Sequence, residues 1–381
     1  MSPQVLIISF WNPTEQNPQQ GIFIRDQAAA VCSLRENVVF VQVNVLPSKH
    51  LTLQKHVAEA PFFGNRLITI DLYSLFWKFY YVNPWLLTGI VYSTLNKIIT
   101  GFKPALIHSN VIFPCGTVAY LLSRKTGSRL IISEHWSKAQ KLLKHPLYRR
   151  IALKAYRNNS TVISVSEFLA GKISELTAHR NIIVIPNIVN TEVFSYKSKA
   201  GFDGKRLILT CVATWKPPKR LDLIIDSVSS FASDTGLQVS LNVVGNGIQT
   251  QVLKTDKSPE NLHIEWLGYL DKSSIVAMLH NSHFFLHASD IETFSIVTAE
   301  ALSTGTPVLA SDRGALPELI HEGNGMLAEN NSDTWRKKIH ELVNKKFDYE
   351  TIARENQTRF SPETVGRAIL EAYKDALNDI I

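Results

Sequence analysis

Short apolar runs recur along this chain, most of them closed by a loop bearing glycine, proline or asparagine and followed by a helix-forming stretch. The first set lies at residues 5–10, 38–45, 105–109, 130–133, 161–165 and 182–185. A second set lies at 207–212, 241–244, 264–268, 282–287 and 307–310. A strand that is apolar at every position is covered on both faces, the condition of a parallel sheet with helices on either side. The alternation predicts a doubly wound α/β fold, and 381 residues are enough for two or three domains.

Composition narrows the class. Charged residues make up 19% of the chain and hydrophobic residues 45%, so it can bury sizeable cores. The net charge of +7 is moderate and does not point to nucleic acid. Cys32, Cys115 and Cys211 are few, odd in number and far apart, which argues against disulfides and zinc and for a reducing cytoplasmic setting. The amino terminus reads as a buried strand rather than a leader, and no run is apolar enough for a membrane span.

Two stretches stand apart. Residues 46–104 fit the strand–helix pattern least, apart from a helix expected at 86–99. Within them, 62–87 is dense in aromatics and reads as hydrophobic packing, with a membrane-interface surface as the other use. Between Lys138 and Arg157 there are seven Lys or Arg and no Asp or Glu, on a rough helical stripe broken at Pro146. Lys138, Lys141, Arg149 and Arg150 are candidates to face an anionic acceptor or membrane surface. A solvated helix face is the plain alternative.

The most informative segment is 286–319, LHASDIETFSIVTAEALSTGTPVLASDRGALPEL. It reads as strand, loop, helix from about 295 to 304, strand and turn, with Gly305 and Pro307 ending the helix. Glu292 falls in the loop at the carboxyl end of a strand, and Glu300 on the helix eight residues later. Open parallel sheets bind ligands at that end, and a helix amino terminus there favours an anion. Thr293 and Ser295 are candidate caps whose hydroxyls and amides also suit phosphate.

The pattern E-T-F-S-x-x-x-x-E-A-L-x-x-G-x-P-V, followed by S-D-x-G-x-x-x-E, resembles the donor site of glycosyltransferase family 4. The resemblance implies a GT-B fold: two Rossmann-like doubly wound parallel-sheet domains facing a central cleft, with the C-terminal helix crossing back to the N-terminal domain. It divides the chain into 1–186 with 361–381, and 187–360. It implies that Glu292 sits beside the transferred sugar, that Glu300 binds ribose hydroxyls, and that the backbone of Thr293, Phe294, Ser295, Ile296 and Val297 faces the diphosphate. His135, in S-E-H-W after a strand, matches a position near sugar and acceptor. The resemblance further implies that Gly21, closing the first loop, lets the backbone approach donor or acceptor and that Gly245 and Gly247 line the donor cleft, with ordinary turn geometry as the plain alternative at each. In A-T-W-K-P-P-K-R, Lys219 matches the family's lysine, while Thr214 stands where an arginine is usual. Lys216 or Arg220 is then the candidate replacement cation.

These readings, with retention implied by the family resemblance alone, lead to a retaining, metal-independent hexosyltransferase. It would use a nucleotide-diphosphate-sugar and no cofactor, act on a glycan or lipid-linked acceptor, and serve cell-surface polysaccharide synthesis. Lys219 and the helix start would stabilise the leaving group, with Glu292 and His135 at the sugar. The expected location is cytoplasmic, peripheral on the inner face of the cytoplasmic membrane. Two alternatives stay open: a non-catalytic nucleotide-binding or partner protein of the same fold, for which Thr214 speaks, and a glycoside hydrolase using Glu292 and Glu300.

Overall fold

The computed structural model describes residues 4–14, 20–135, 146–157, 161–254 and 258–378. Contacts divide the chain into two compact units, Met1–Ile188 with Pro362–Ile381, and Val189–Ser361.

Unit 1 is built on β1 (Val5–Ser9), β2 (Val38–Pro47), β3 (Gln54–Phe62), β4 (Asn65–Ser74), β5 (Leu106–Asn110), β6 (Arg129–Glu134), β7 (Thr161–Ser164) and β8 (Ile182–Val184). Their order is β3-β4-β2-β1-β5-β6-β7-β8, and every neighbouring pair is parallel except β3 with β4. The central strands are buried at every position, as expected of runs such as VLIIS. The helices are α1 (Ile22–Leu34), α2 (Trp77–Tyr81), α3 (Pro84–Ile98), α4 (Thr117–Thr126), α5 (Pro146–Arg157) and α6 (Glu167–Thr177). Asn83 caps α3 by accepting from the Leu86 amide at 3.0 Å, with Pro84 at its first position. Ser166 caps α6 in the same way through Leu169.

The weakly patterned region proves regular. Residues 54–74 form an antiparallel hairpin on the sheet edge, turned at Phe63 (φ 47) and Gly64 (φ 72). Positive φ at both central positions is the twist-matched two-residue turn. The packing reading of the aromatic segment holds in part: Phe62, Ile68, Ile70, Leu72 and Leu87 are buried, while Phe63 at the hairpin turn is exposed. Leu75, Phe76, Phe79 and Trp85 are instead more than half exposed. Of these Phe79 lies on α2, a five-residue helix too short to turn one continuous stripe inward, Leu75 and Phe76 precede it, and Trp85 is in the first turn of α3.

Unit 2 contains β9 (Arg206–Val212), β10 (Gln238–Val244), β11 (Leu262–Gly268), β12 (Phe284–His287), β13 (Val308–Ser311) and β14 (Gly325–Ala328), all parallel, in the order β11-β10-β9-β12-β13-β14. That is the doubly wound 3-2-1-4-5-6 arrangement, whose switch point lies between β9 and β12. Its helices are α7 (Leu221–Thr235), α8 (Ile248–Leu253), α9 (Lys272–Asn281), α10 (Ile296–Ser303), α11 (Ser332–Val343) and α12 (Tyr349–Phe360). Trp215 and Trp335 are fully buried in its core.

The last helix, α13 (Pro362–Asn378), belongs to unit 1 and lies against α1, the crossing back that the sequence implied. Tyr373 fastens it: its hydroxyl lies 2.6 Å from His108 Nδ1, and His108 Nε2 lies 2.7 Å from Ser133 Oγ. Burial, with the neighbouring His135, pushes the His108 ring down to about 3, so it sits neutral in this chain of bonds.

Candidate active site

In unit 2 the loops after β9 and β12 converge at the switch point. Lys219 follows β9, and its backbone is held from several sides. It forms a β-bridge with Ser289, Arg220 N–H donates to the Ala288 carbonyl at 3.0 Å, and Asp290 N–H donates to the Pro218 carbonyl at 2.9 Å. Gln249 clamps it from α8, with Nε2 donating to the Lys219 carbonyl at 2.6 Å and Oε1 accepting from the Leu221 amide at 3.1 Å. So placed, the Lys219 ammonium forms an ion pair with Glu292 Oε1.

Glu292 is itself held by its backbone, since Ala315 N–H donates to its carbonyl at 3.0 Å across the S-D-x-G turn. Burial opposes its charge, but the Lys219 ammonium and the His287 ring hold the carboxyl down to about 2. His287 is the residue the sequence reading passed over. It ends β12, fully buried, with Nε2 2.8 Å from Glu292 Oε1, 3.2 Å from Ser295 Oγ and 3.4 Å from Lys219 Nζ. A carboxylate only accepts, so the ring proton belongs on Nε2, and Nδ1 has no hydrogen-bond partner among the described residues. The available signal was a lone polar residue closing an apolar strand five positions before Glu292.

Ser295 stands at the start of α10 with φ 77, but the expected side-chain cap is not made. Its hydroxyl turns inward to His287 and to Thr298 Oγ1 at 2.8 Å. Thr293 lies two residues before that position and is not the cap either. Ser295 therefore does not satisfy the first amides of α10, and a helix start with open amides attracts an anion. Phe294 is buried, whereas Ile296, Val297 and Glu300 share the less buried face of α10.

Gly245 and Gly247 pack against the loop that carries Lys219. A Cβ on Gly245 would run into the Ala213 carbonyl, and one on Gly247 into the Trp215 carbonyl. Trp215 N–H donates to the Asn246 carbonyl at 3.0 Å and its indole to Val244 at 2.9 Å. Thr214 and Lys216 are exposed on the same loop. Arg220 does not stand in for the missing cation: its guanidinium is forked onto Asp222 at 2.7 Å and reaches Asp290 at 3.4 Å.

In unit 1, His135 follows β6. Its Nδ1 lies 3.1 Å from Asn187 Oδ1, its Nε2 3.4 Å from Asn110 Oδ1, and its ring packs on Phe23 with centroids 4.6 Å apart. Burial pushes it down to about 4, so it is neutral near pH 7. Glu134, fully buried before it, accepts from the Ile112 amide at 3.0 Å and the Tyr156 hydroxyl at 2.9 Å. Gly21 starts α1 with φ 64, its backbone against the Trp11 carbonyl. Arg149 and Arg150 are exposed on α5, and Lys138 and Lys141 lie outside the described residues.

Two family models adjoin on this chain, Glycosyltransferase Family 4 over residues 56–193 and Glycosyl transferases group 1 over residues 192–361. The chain belongs to glycosyltransferase family 4. An uncharacterized glycosyltransferase of Methanocaldococcus jannaschii is 29% identical over 281 residues, 71% of this chain and 75% of that protein. The O-antigen biosynthesis glycosyltransferase WbnH of Escherichia coli is 33% identical over 165 residues, 43% of each chain. Among solved structures, Anabaena HepE in complex with UDP and glucose superposes with a TM-score of 0.69 at 16% identity, covering 98% of this chain and 99% of that one. The fold is GT-B and the chain is a glycosyltransferase.

Proposed function

We propose that this glycosyltransferase moves a hexose-type sugar from a nucleotide-diphosphate-sugar to a glycan or lipid-linked acceptor. The transfer would proceed with retention and without a metal ion, in cell-surface polysaccharide assembly at the inner face of the membrane. The observation that carries this is the Lys219–Glu292 pair at the ends of β9 and β12, beside the uncapped start of α10. A departing nucleoside diphosphate gathers negative charge as the anomeric bond breaks. A fixed ammonium and oriented helix amides oppose that charge without reorganising. Lys219 and the amides of Ile296 and Val297 take this role, and Glu300 on the same helix face takes the ribose. Glu292, ionised at every working pH, orients sugar hydroxyls and stabilises positive charge at the anomeric carbon. His135, neutral and fixed by Asn187, serves the acceptor side. The nucleotide and glucose in the HepE structure and the O-antigen role of WbnH support the donor class and the pathway type.

The hydrolase alternative could use Glu292 only as the ionised nucleophile or base, since Lys219 keeps it charged, and would leave the role of acid to Glu300. The non-catalytic alternative keeps one observation, the exposed Thr214 where the family's arginine is usual.

A thermal-shift panel of nucleoside diphosphates and their sugars, without metal, on wild type and Lys219→Ala tests the reading. A ligand at a hundred times its dissociation constant stabilises by about 2.7 kcal/mol. A shift for one nucleotide, reduced in the variant, is expected. No shift with any nucleotide would favour the non-catalytic reading. Loss of turnover in EDTA with recovery in Mn2+ would overturn metal independence.

A further inference from the structure

The net charge of +7 conceals an asymmetry. Residues 72–166 hold thirteen Lys and Arg against one carboxylate, Glu134, which is fully buried. The other 286 residues hold twenty-seven against thirty-two. One stretch of unit 1 therefore carries +12 and the rest of the chain −5.

That stretch contains the helices α2 to α5, which neighbour one another in space: α3 touches α2 and α4, and α4 touches α5. A chain of rings ties the first to the last, with Tyr81 5.9 Å from Phe113 and Phe113 5.0 Å from Tyr148. At the α2 end, Leu75, Phe76, Phe79 and Trp85 are each more than half exposed. Lys78 stands among them, its ammonium 5.7 Å from the Trp77 ring. At the α5 end, a surface pocket is lined by Tyr120, Arg150, Leu153, Lys154 and Arg157, the last of which also donates to the Thr177 carbonyl. Exposed aromatics beside a layer rich in Lys and Arg match two depths of one medium, the headgroup–acyl boundary and the phosphate layer above it. An acidic protein would complement the charge but would not call for four exposed apolar side chains at one corner.

We propose that the α2–α5 layer of unit 1 docks on an anionic phospholipid bilayer, with Phe76, Phe79 and Trp85 seated in the interface and Arg150, Lys154 and Arg157 taking lipid phosphates. No helix among the described residues is long and apolar enough to cross a membrane, so the contact is one of lying on the surface. The inference rests on the reading of a membrane-held acceptor for its purpose and on the exposure and charge above for its evidence. It assigns membrane contact to the segment 75–85 around α2, which carries the apolar part, as well as to the basic helix.

The test is flotation of the full chain with vesicles of phosphatidylcholine alone and of a two-to-one mixture with phosphatidylglycerol. Wild type should float with the mixed vesicles and stay behind with the neutral ones. Each basic residue near an anionic leaflet strengthens binding about fivefold, so Arg150→Glu with Lys154→Glu should lower the bound fraction well over tenfold. Phe76→Ser with Phe79→Ser, both at exposed positions, should also release the protein, whereas Arg367→Glu on α13 should not. The melting shift with the donor nucleotide should stay unchanged in all three, which separates this proposal from the site reading. Wild type left behind by the anionic vesicles, or both double variants floating like wild type, would overturn it. So would inorganic phosphate raising the melting temperature through the same cations while no vesicle binds.

Discussion

At the scale of single residues, the site depends on how one buried carboxylate is surrounded. Glu292 has two partners that share its Oε1, and for one of them, His287, that oxygen is the nearest acceptor of the Nε2 proton, at 2.8 Å against 3.2 Å for Ser295 Oγ. Glu292→Gln should therefore abolish most transfer, by about two to three orders of magnitude as for other lost transition-state partners, while leaving nucleotide binding measurable. Initial rates with the donor found in the panel check this. His287→Ala should loosen both charged groups, raising KM and lowering kcat together, and His287→Gln should restore part of the activity because its amide still donates. A merely packing role for His287 would predict no such rescue. The pH dependence has a definite sign. The Glu292 carboxyl is lowered from its ordinary value to about 2, so its contribution to stability is complete above the unfolded pKa near 4.5. That contribution is lost as pH falls toward 2. The melting difference between wild type and Glu292→Gln should shrink through that window.

At the scale of elements, close approach and fastening matter more than propensity. Gly245 and Gly247 let one loop press its backbone on the next, and Gly245→Ala would force Ala213 away. Loss of the donor-nucleotide melting shift with the rest of the unit still folded is the expected outcome. Tyr373→Phe on α13 removes the partner of a buried His108 nitrogen, and orphaning such a group costs about 1–3 kcal/mol, readable in urea unfolding. The elements that the sequence made legible are those whose surroundings repeat along the chain. VLII or LIL is apolar throughout because helices cover both faces, and Gly305 and Pro307 mark a helix end by backbone chemistry alone. Strand β3, QKHVAEAPF, gave no such sign: it is an edge strand exposed at all positions but the last, so nothing required it to be apolar. In the site, E-x7-E announced Glu292, but its partnership with Lys219 spans 73 positions and exists only once β9 and β12 lie side by side. Ser295 misled for a related reason, because a hydroxyl at a helix start is drawn inward when a buried histidine lies in reach.

At the scale of the whole molecule, the two units follow one plan with different edges. Unit 2 is a bare six-stranded doubly wound sheet, whereas unit 1 adds a hairpin and the basic helical layer. The family model over residues 56–193 runs through the hairpin and the helical layer, and it is in unit 1 that acceptor handling and surface attachment are proposed.

The route of the chain has a further consequence during synthesis. Residues 189–361 leave the ribosome before residues 362–378, yet it is the earlier unit that needs that last helix. While unit 2 is being made, at about 5–20 residues per second, the face of α1 awaiting α13 stays open to solvent. The nascent protein therefore completes its second half first and exposes apolar surface on its first half until the end. A stop after Ser361 would leave every element of unit 2 in place and would burden unit 1, far away in sequence, with the damage.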